Sequence, residues 1–117
     1  MKFRGKQLGA FICLSAFMFA RPALAETPIY RLVLENHVFS PSKLRIPPNT
    51  KVKIIIENKD ETAEEFDSFD LNRERVIFAQ REASIFIGPL PIGRYEFFGE
   101  YHPNSARGYV IVEEESL

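Results

Sequence analysis

The chain has 117 residues, 45% of them hydrophobic and 26% charged, with 15 Lys and Arg against 16 Asp and Glu for a formal net charge of −1. That balance lacks the basic excess that neutralises phosphates, so no nucleic-acid partner is expected. A single cysteine excludes an internal disulfide framework.

Lys2, Arg4 and Lys6 precede an apolar stretch from Leu8 to Ala20, and Ala23-Leu24-Ala25 then supplies a small-x-small cleavage pattern. This order predicts a cleavable signal peptide over residues 1–25 and one exported domain over residues 26–117. The apolar run stops at Arg21-Pro22, short of the roughly 20 residues a membrane span requires. Cys13 lacks the setting of a lipid-modified cysteine, so no stable membrane anchor is expected. Cleavage would remove the only cysteine, both methionines (Met1 and Met18) and four of the fifteen basic residues, leaving a charge of −5. An acidic chain without thiolate or thioether suits cations or basic partners.

From residue 30 onward the apolar period is two, the signature of strands. Tyr30, Leu32 and Leu34 share one face of the first. Lys43-Leu44-Arg45-Ile46 alternates and ends at the turn Pro47-Pro48-Asn49-Thr50. Val52, Ile54 and Ile56 line the next, which Asn58-Lys59-Asp60 closes. Further strands are predicted at Val76 to Ala79, Ala83 to Ile87, Arg94 to Phe98 and Tyr109 to Glu113. Residues 60–75 read as an acidic, irregular connection. About seven short strands separated by Pro, Gly and Asn turns predict an all-β Greek-key β-sandwich.

Two segments carry the chemistry. In extended backbone, residues i and i+2 point to the same side. Glu65 and Asp67 would project together around Phe66, and Glu100 and His102 around Tyr101. Side by side, the four would offer carboxylates and an imidazole to an iron, copper, manganese or zinc ion. Glu64 and His37 are lesser metal candidates, and Arg73 is a candidate to pair with an acidic residue and hold the loop. The competing reading of each is a solvated surface group. Enzymes of other kinds find little support. Gly88, Gly93, Gly99 and Gly108 form no phosphate loop, and no serine sits in a nucleophile elbow. Glu65 with Glu100 as a glycosidase pair would lack a substrate cleft.

Phe39-Ser40-Pro41, Leu44-Arg45-Ile46, Pro48-Asn49-Thr50 and Val52 resemble the opening of the cupredoxins, and Phe97 to Val112 resembles their closing segment. Residues 64–68 (EEFDS), 71–77 (LNRERVI), 87–102 (IGPLPIGRYEFFGEYH) and 106–108 (ARG) are most similar to the periplasmic cupredoxin-like subunit of Ftr-type ferrous-iron transport systems. They are also similar to the cupredoxin domain of EfeO-type proteins. The resemblance implies a cupredoxin-like fold, a periplasmic location, an iron or copper ion, and a family E-x-E motif standing here as Glu65-Phe66-Asp67. It further implies an inner-membrane iron permease, a second periplasmic metal-binding protein and a membrane ferredoxin-type protein as partners, with ferroxidase-like activity one proposed role.

Of the blue-copper ligand positions only His102 matches, while Gly99 stands at the cysteine position and Ala106 near the methionine. Without the thiolate, no type-1 copper is expected. Two alternatives stay open: a periplasmic copper-binding, chaperone or redox-partner protein, and a metal-free cupredoxin-like interaction module.

Overall fold

The computed structural model describes residues 26–115, and the predicted signal peptide lies outside them. Nine strands follow one another, with no helix among the described residues: β1 (Ile29–Glu35), β2 (Val38–Ser40), β3 (Lys43–Ile46), β4 (Val52–Asn58), β5 (Glu64–Ser68), β6 (Arg73–Ile77), β7 (Glu82–Ile87), β8 (Gly93–Gly99) and β9 (Arg107–Val112). They form a four-stranded sheet, in the order β2-β1-β4-β7, and a five-stranded sheet, in the order β3-β9-β8-β5-β6. The all-β sandwich expected from the period-two pattern is thus what the chain builds.

Alternation explains which faces meet. In β4, Val52, Ile54 and Ile56 are buried while Lys53, Ile55 and Glu57 are partly exposed. β1 runs parallel to β4 with Leu32 opposite Ile56, so Leu32 and Leu34 join the same layer. The second sheet answers with Leu44, Phe66, Phe97, Val110 and Val112. Phe39, Phe66 and Phe97 form the aromatic centre. Phe97 stacks on Phe66 at 5.2 Å and meets Phe39 edge-on at 5.3 Å between centroids, geometries that aromatic quadrupoles favour.

The structure departs from the sequence reading in residues 60–75. Glu64–Ser68 and Arg73–Ile77 are paired strands, not an irregular connection. Apolar alternation is hidden there because two of the three inward positions of β5 are polar. The Ser68 hydroxyl is satisfied internally, donating to the Glu96 carbonyl (2.5 Å) and accepting from the Leu71 N–H (3.1 Å). Glu64 is satisfied in the same way, as shown below. A buried polar group with partners keeps its place in a strand, though no hydropathy pattern marks it.

One turn bears on the site. β1 and β2 join through Asn36 and His37, both with positive φ (56° and 59°). This two-residue turn of the primed type follows the twist of the strands. Asp60 fastens it from another loop, its carboxylate accepting the Asn36 N–H at 2.7 Å and the His37 N–H at 3.0 Å.

Candidate functional site

Two clusters of chemistry-bearing side chains lie on opposite faces of β5. On the outer face stand Glu65 and Asp67, with Phe66 buried between them, as their spacing predicts. The β5–β6 register sets Glu74 directly across from Asp67. One carboxylate oxygen from each of Glu65, Asp67 and Glu74 falls within 4.8 Å of the others. Asp67 is buried, at 6% exposure. Among the described residues none of the three carboxylates has a Lys or Arg nitrogen within 4.0 Å. Buried carboxylates are ordinarily paired or hold a metal. Glu100 flanks the group, its N–H donating to the Glu65 carbonyl at 2.9 Å.

The crowding shows in Glu65, whose carboxyl is raised above its usual range. Desolvation is the largest cause, followed by the charges of Glu74, Asp67 and Glu100, while a hydrogen bond to Tyr101 acts in the opposite direction. A carboxyl raised on folding makes no difference to stability below its unfolded value, where both states are protonated. Above its folded value it is ionised in both states, and there it opposes folding. Glu65→Gln is therefore expected to raise the melting temperature of the metal-free protein at pH 7, with the gain vanishing near pH 4. Paired melting curves at the two pH values check this, and a gain of equal size at both would rule out the electrostatic cause.

His102 does not join this cluster, which divides the expected four-residue set. The i, i+2 rule that coupled it to Glu100 requires extended backbone, but β8 ends at Gly99. Residues 100–106 then curl into a turn, with His102 N–H bonded to the Gly99 carbonyl and Ala106 N–H to the His102 carbonyl. The imidazole instead reaches the inner face, where its Nδ1 lies 2.9 Å from Oε2 of Glu64. The other oxygen of Glu64 accepts the N–H groups of Glu65 (2.9 Å) and Tyr101 (2.8 Å). Gly99 is what leaves room for this carboxylate, since a Cβ there would stand 2.6 Å from it.

His37 completes the second cluster. Its ring stacks on that of His102, centroids 3.6 Å apart and planes 12° from parallel, and its Nδ1 lies 3.3 Å from Asp60 Oδ2. Glu64 and His37, the lesser candidates, thus meet His102, while Glu65, Asp67 and Glu100 gather elsewhere. Among the described residues Arg73 pairs with no carboxylate. Its guanidinium donates to the carbonyls of Phe86 (2.9 Å), Asn72 (2.9 Å) and Leu71 (3.4 Å), bracing the β5–β6 turn against β7. Sequence reasoning missed Glu74 and Asp60. Glu74 becomes visible only when Arg73–Ile77 is paired antiparallel to Glu64–Ser68, and Asp60 reads as an ordinary turn residue until the Asn36-His37 turn is placed beside it.

The family described as "Cupredoxin-like domain" matches residues 8–112. The chain belongs to this family. A relative, an uncharacterized protein of Rickettsia prowazekii (strain Madrid E), is 38% identical over 84 residues, 72% of this chain and 67% of that one. Several solved cupredoxin-like structures share the fold. Auracyanin A, a "blue" copper protein of Chloroflexus aurantiacus, aligns over 75% of this chain and 100% of its own at 10% identity with a TM-score of 0.64. The metal-binding domain of the Streptococcus pneumoniae D39 Cu(I)-exporting P-type ATPase CopA, solved with Cu(I), aligns over 79% and 93% at 20% identity with a TM-score of 0.63. A purple cupredoxin of Nitrosopumilus maritimus aligns over 72% and 99% at 20% identity with a TM-score of 0.56.

Proposed function

We propose that this cupredoxin-like chain is a periplasmic metal-binding accessory protein of a ferrous-iron uptake system. It would hold iron at Glu65, Asp67 and Glu74 with Glu100 beside them, for delivery to an inner-membrane permease together with another periplasmic metal-binding protein. The observation that carries this reading is the convergence of three carboxylates within 4.8 Å, one of them buried and none neutralised by Lys or Arg among the described residues. An all-oxygen set suits hard cations and favours ferric over ferrous iron. The resemblance of residues 64–68 and 87–102 to Ftr-type and EfeO-type proteins supports iron as cargo. Blue-copper chemistry is a poorer fit, because residues 26–117 contain no cysteine and Gly99 leaves its place to the Glu64 carboxylate. The bound metals named for auracyanin A and the CopA domain support metal binding by this fold in general.

The test is an anaerobic titration of the purified protein with Fe(II), and with Mn(II) as a redox-silent substitute. Glu65→Gln, Asp67→Asn and Glu74→Gln are each expected to weaken binding at least about tenfold, equivalent to about 1.4 kcal/mol. Equal affinity in the wild type and all three variants would remove the site. Permease-dependent iron uptake in cells should fall with the same variants, and uptake unaffected by them would detach the site from transport.

A further inference from the structure

Phe69 is the most exposed large apolar side chain among the described residues, at 80%, and its turn is clamped. On either side of it, the Ser68 hydroxyl donates to the Glu96 carbonyl (2.5 Å) and the Asp70 carboxylate accepts the Glu96 N–H (2.9 Å). The ring leans on Phe98, 5.5 Å between centroids. With Phe98, Tyr109 and Ile111, all half-buried, it makes the outer face of the five-stranded sheet partly apolar. A contiguous apolar face rimmed by charge is the mark of a contact surface.

The face is also self-complementary. β8 is the middle strand, with β9 and β3 on one side and β5 and β6 on the other. One cross-strand row runs Arg107, Phe98, Asp67, Glu74 from β9 to β6. The next runs Lys43, Tyr109, Glu96 from β3 to β8, and Phe69 comes level with Glu96 just past the end of β5. Lys43 and Arg107 thus lie on one side of β8, and Glu65, Asp67 and Glu74 on the other. Beside β9 is a groove of about 280 Å³, lined by Ser42, Lys43, Glu96, Arg107, Gly108 and Tyr109. We propose that two copies of the chain pack by this face about a two-fold axis along β8. Phe69 of each enters the groove of the other, and Arg107 of each reaches the other's acidic cluster.

The pairing follows from strand order. A half-turn about β8 lays β9 of one copy on β5 of the second and β3 on β6, with each row kept at its own height. Arg107 then meets Asp67, Phe69 meets Tyr109, and Phe98 meets its own counterpart on the axis. Lys43 stands one row, or about 7 Å, from Glu74, within the reach of its side chain. Among the described residues Lys43 has no carboxylate within 4.0 Å in its own copy. The charged side chains of β8 lean off the axis, Glu96 to Arg107 (2.6 Å) and Arg94 over the Tyr109 ring. Such a contact is isologous and closes at two copies. Five strands about 4.8 Å apart and about five residues long give a face of about 400 Å² in projection. That is small for a specific interface, so the dimer is a weak, reversible one. It belongs to the metal-free protein, because Arg107 of the second copy neutralises the carboxylates that a cation would. It goes beyond the iron reading and does not depend on it.

The experiment is sedimentation of tag-free protein, kept metal-free by a chelator, over a concentration series at low and high salt. The wild type is expected to show a monomer–dimer equilibrium with nothing larger, weakened by salt because the ion pairs lie at an exposed rim. Phe69→Ser should weaken it at least about tenfold. Lys43→Glu and Glu74→Lys should each weaken it about tenfold, since each reversal turns both symmetric contacts from attraction to repulsion. An equimolar mixture of these two variants should recover wild-type dimerisation, because every contact between unlike copies again joins opposite charges. All three positions are exposed, and melting curves check that the variants fold. A wild type monomeric at every concentration overturns the proposal. So does a dimer that Phe69→Ser leaves intact, or a mixture that dimerises no better than either variant alone. Every arm is metal-free, so the result is independent of whether the acidic cluster holds iron.

Discussion

Phe97→Ala is expected to destabilise the fold by about 3–5 kcal/mol, the range for emptying a large aromatic site in a packed core. Phe97 is fully buried, and its ring touches both other members of the aromatic centre. Its fourth side is closed by backbone. Gly108 sits opposite it in the β8–β9 register, and a Cβ there would come within 2.5 Å of the ring and 2.7 Å of the Ser42 carbonyl. Collapse into the void is therefore limited, because two of its walls are strands held by ladder hydrogen bonds. A domain of this size is stable by only about 5–15 kcal/mol, so the variant should melt more than about 10 °C lower. Urea unfolding of the wild type and Phe97→Ala measures it, and a loss below about 1.5 kcal/mol would show that the core repacks. The turn with His102 begins at Glu100, directly after β8 and three residues beyond Phe97, so a displaced β8 should also disturb the Glu64–His102 contact.

The fold was readable wherever one face of a strand is apolar. Leu32 and Leu34, Val52, Ile54 and Ile56, and Val110 and Val112 alternate openly, and all are buried. β5 was not readable, because Glu64 and Ser68 occupy inward positions and only their partners, distant in sequence, make them tolerable there. The same fact divided the candidate site. Local spacing correctly placed Glu65 with Asp67, since a strand is a local object. It failed at His102, since whether residues 100–102 extend or curl depends on what the chain does after Gly99. Glu74, Asp60 and the contact between the histidines are set by strand register and loop packing, which no single segment encodes. Chemistry that depends on two segments meeting is visible in sequence only after the topology is known.

Glu64→Ala is expected to cost about 3 kcal/mol, although it removes a buried charge. Burying a carboxylate is unfavourable in itself, and replacing such a group by a packed apolar one is frequently neutral. The outcome here turns on what is left behind. Alanine vacates the volume that Gly99 leaves open, and it takes the carboxylate partner from three donors, the Glu65 N–H, the Tyr101 N–H and the His102 Nδ1–H. Each such bond is worth about 1.5–3 kcal/mol. His102 is one-third exposed and recovers part of its loss from water. Glu64→Gln keeps the bonds of one oxygen and fills the same volume, so its loss should be about 1 kcal/mol. The contrast between the two variants is the sensitive quantity, read by urea unfolding together with hydrogen exchange at the Tyr101 amide. Fast exchange in Glu64→Ala and slow exchange in Glu64→Gln would show that this carboxylate holds the 100–106 turn in place. Equal stability of the two would mean that volume alone matters, and that the His102 turn is held by its own backbone bonds.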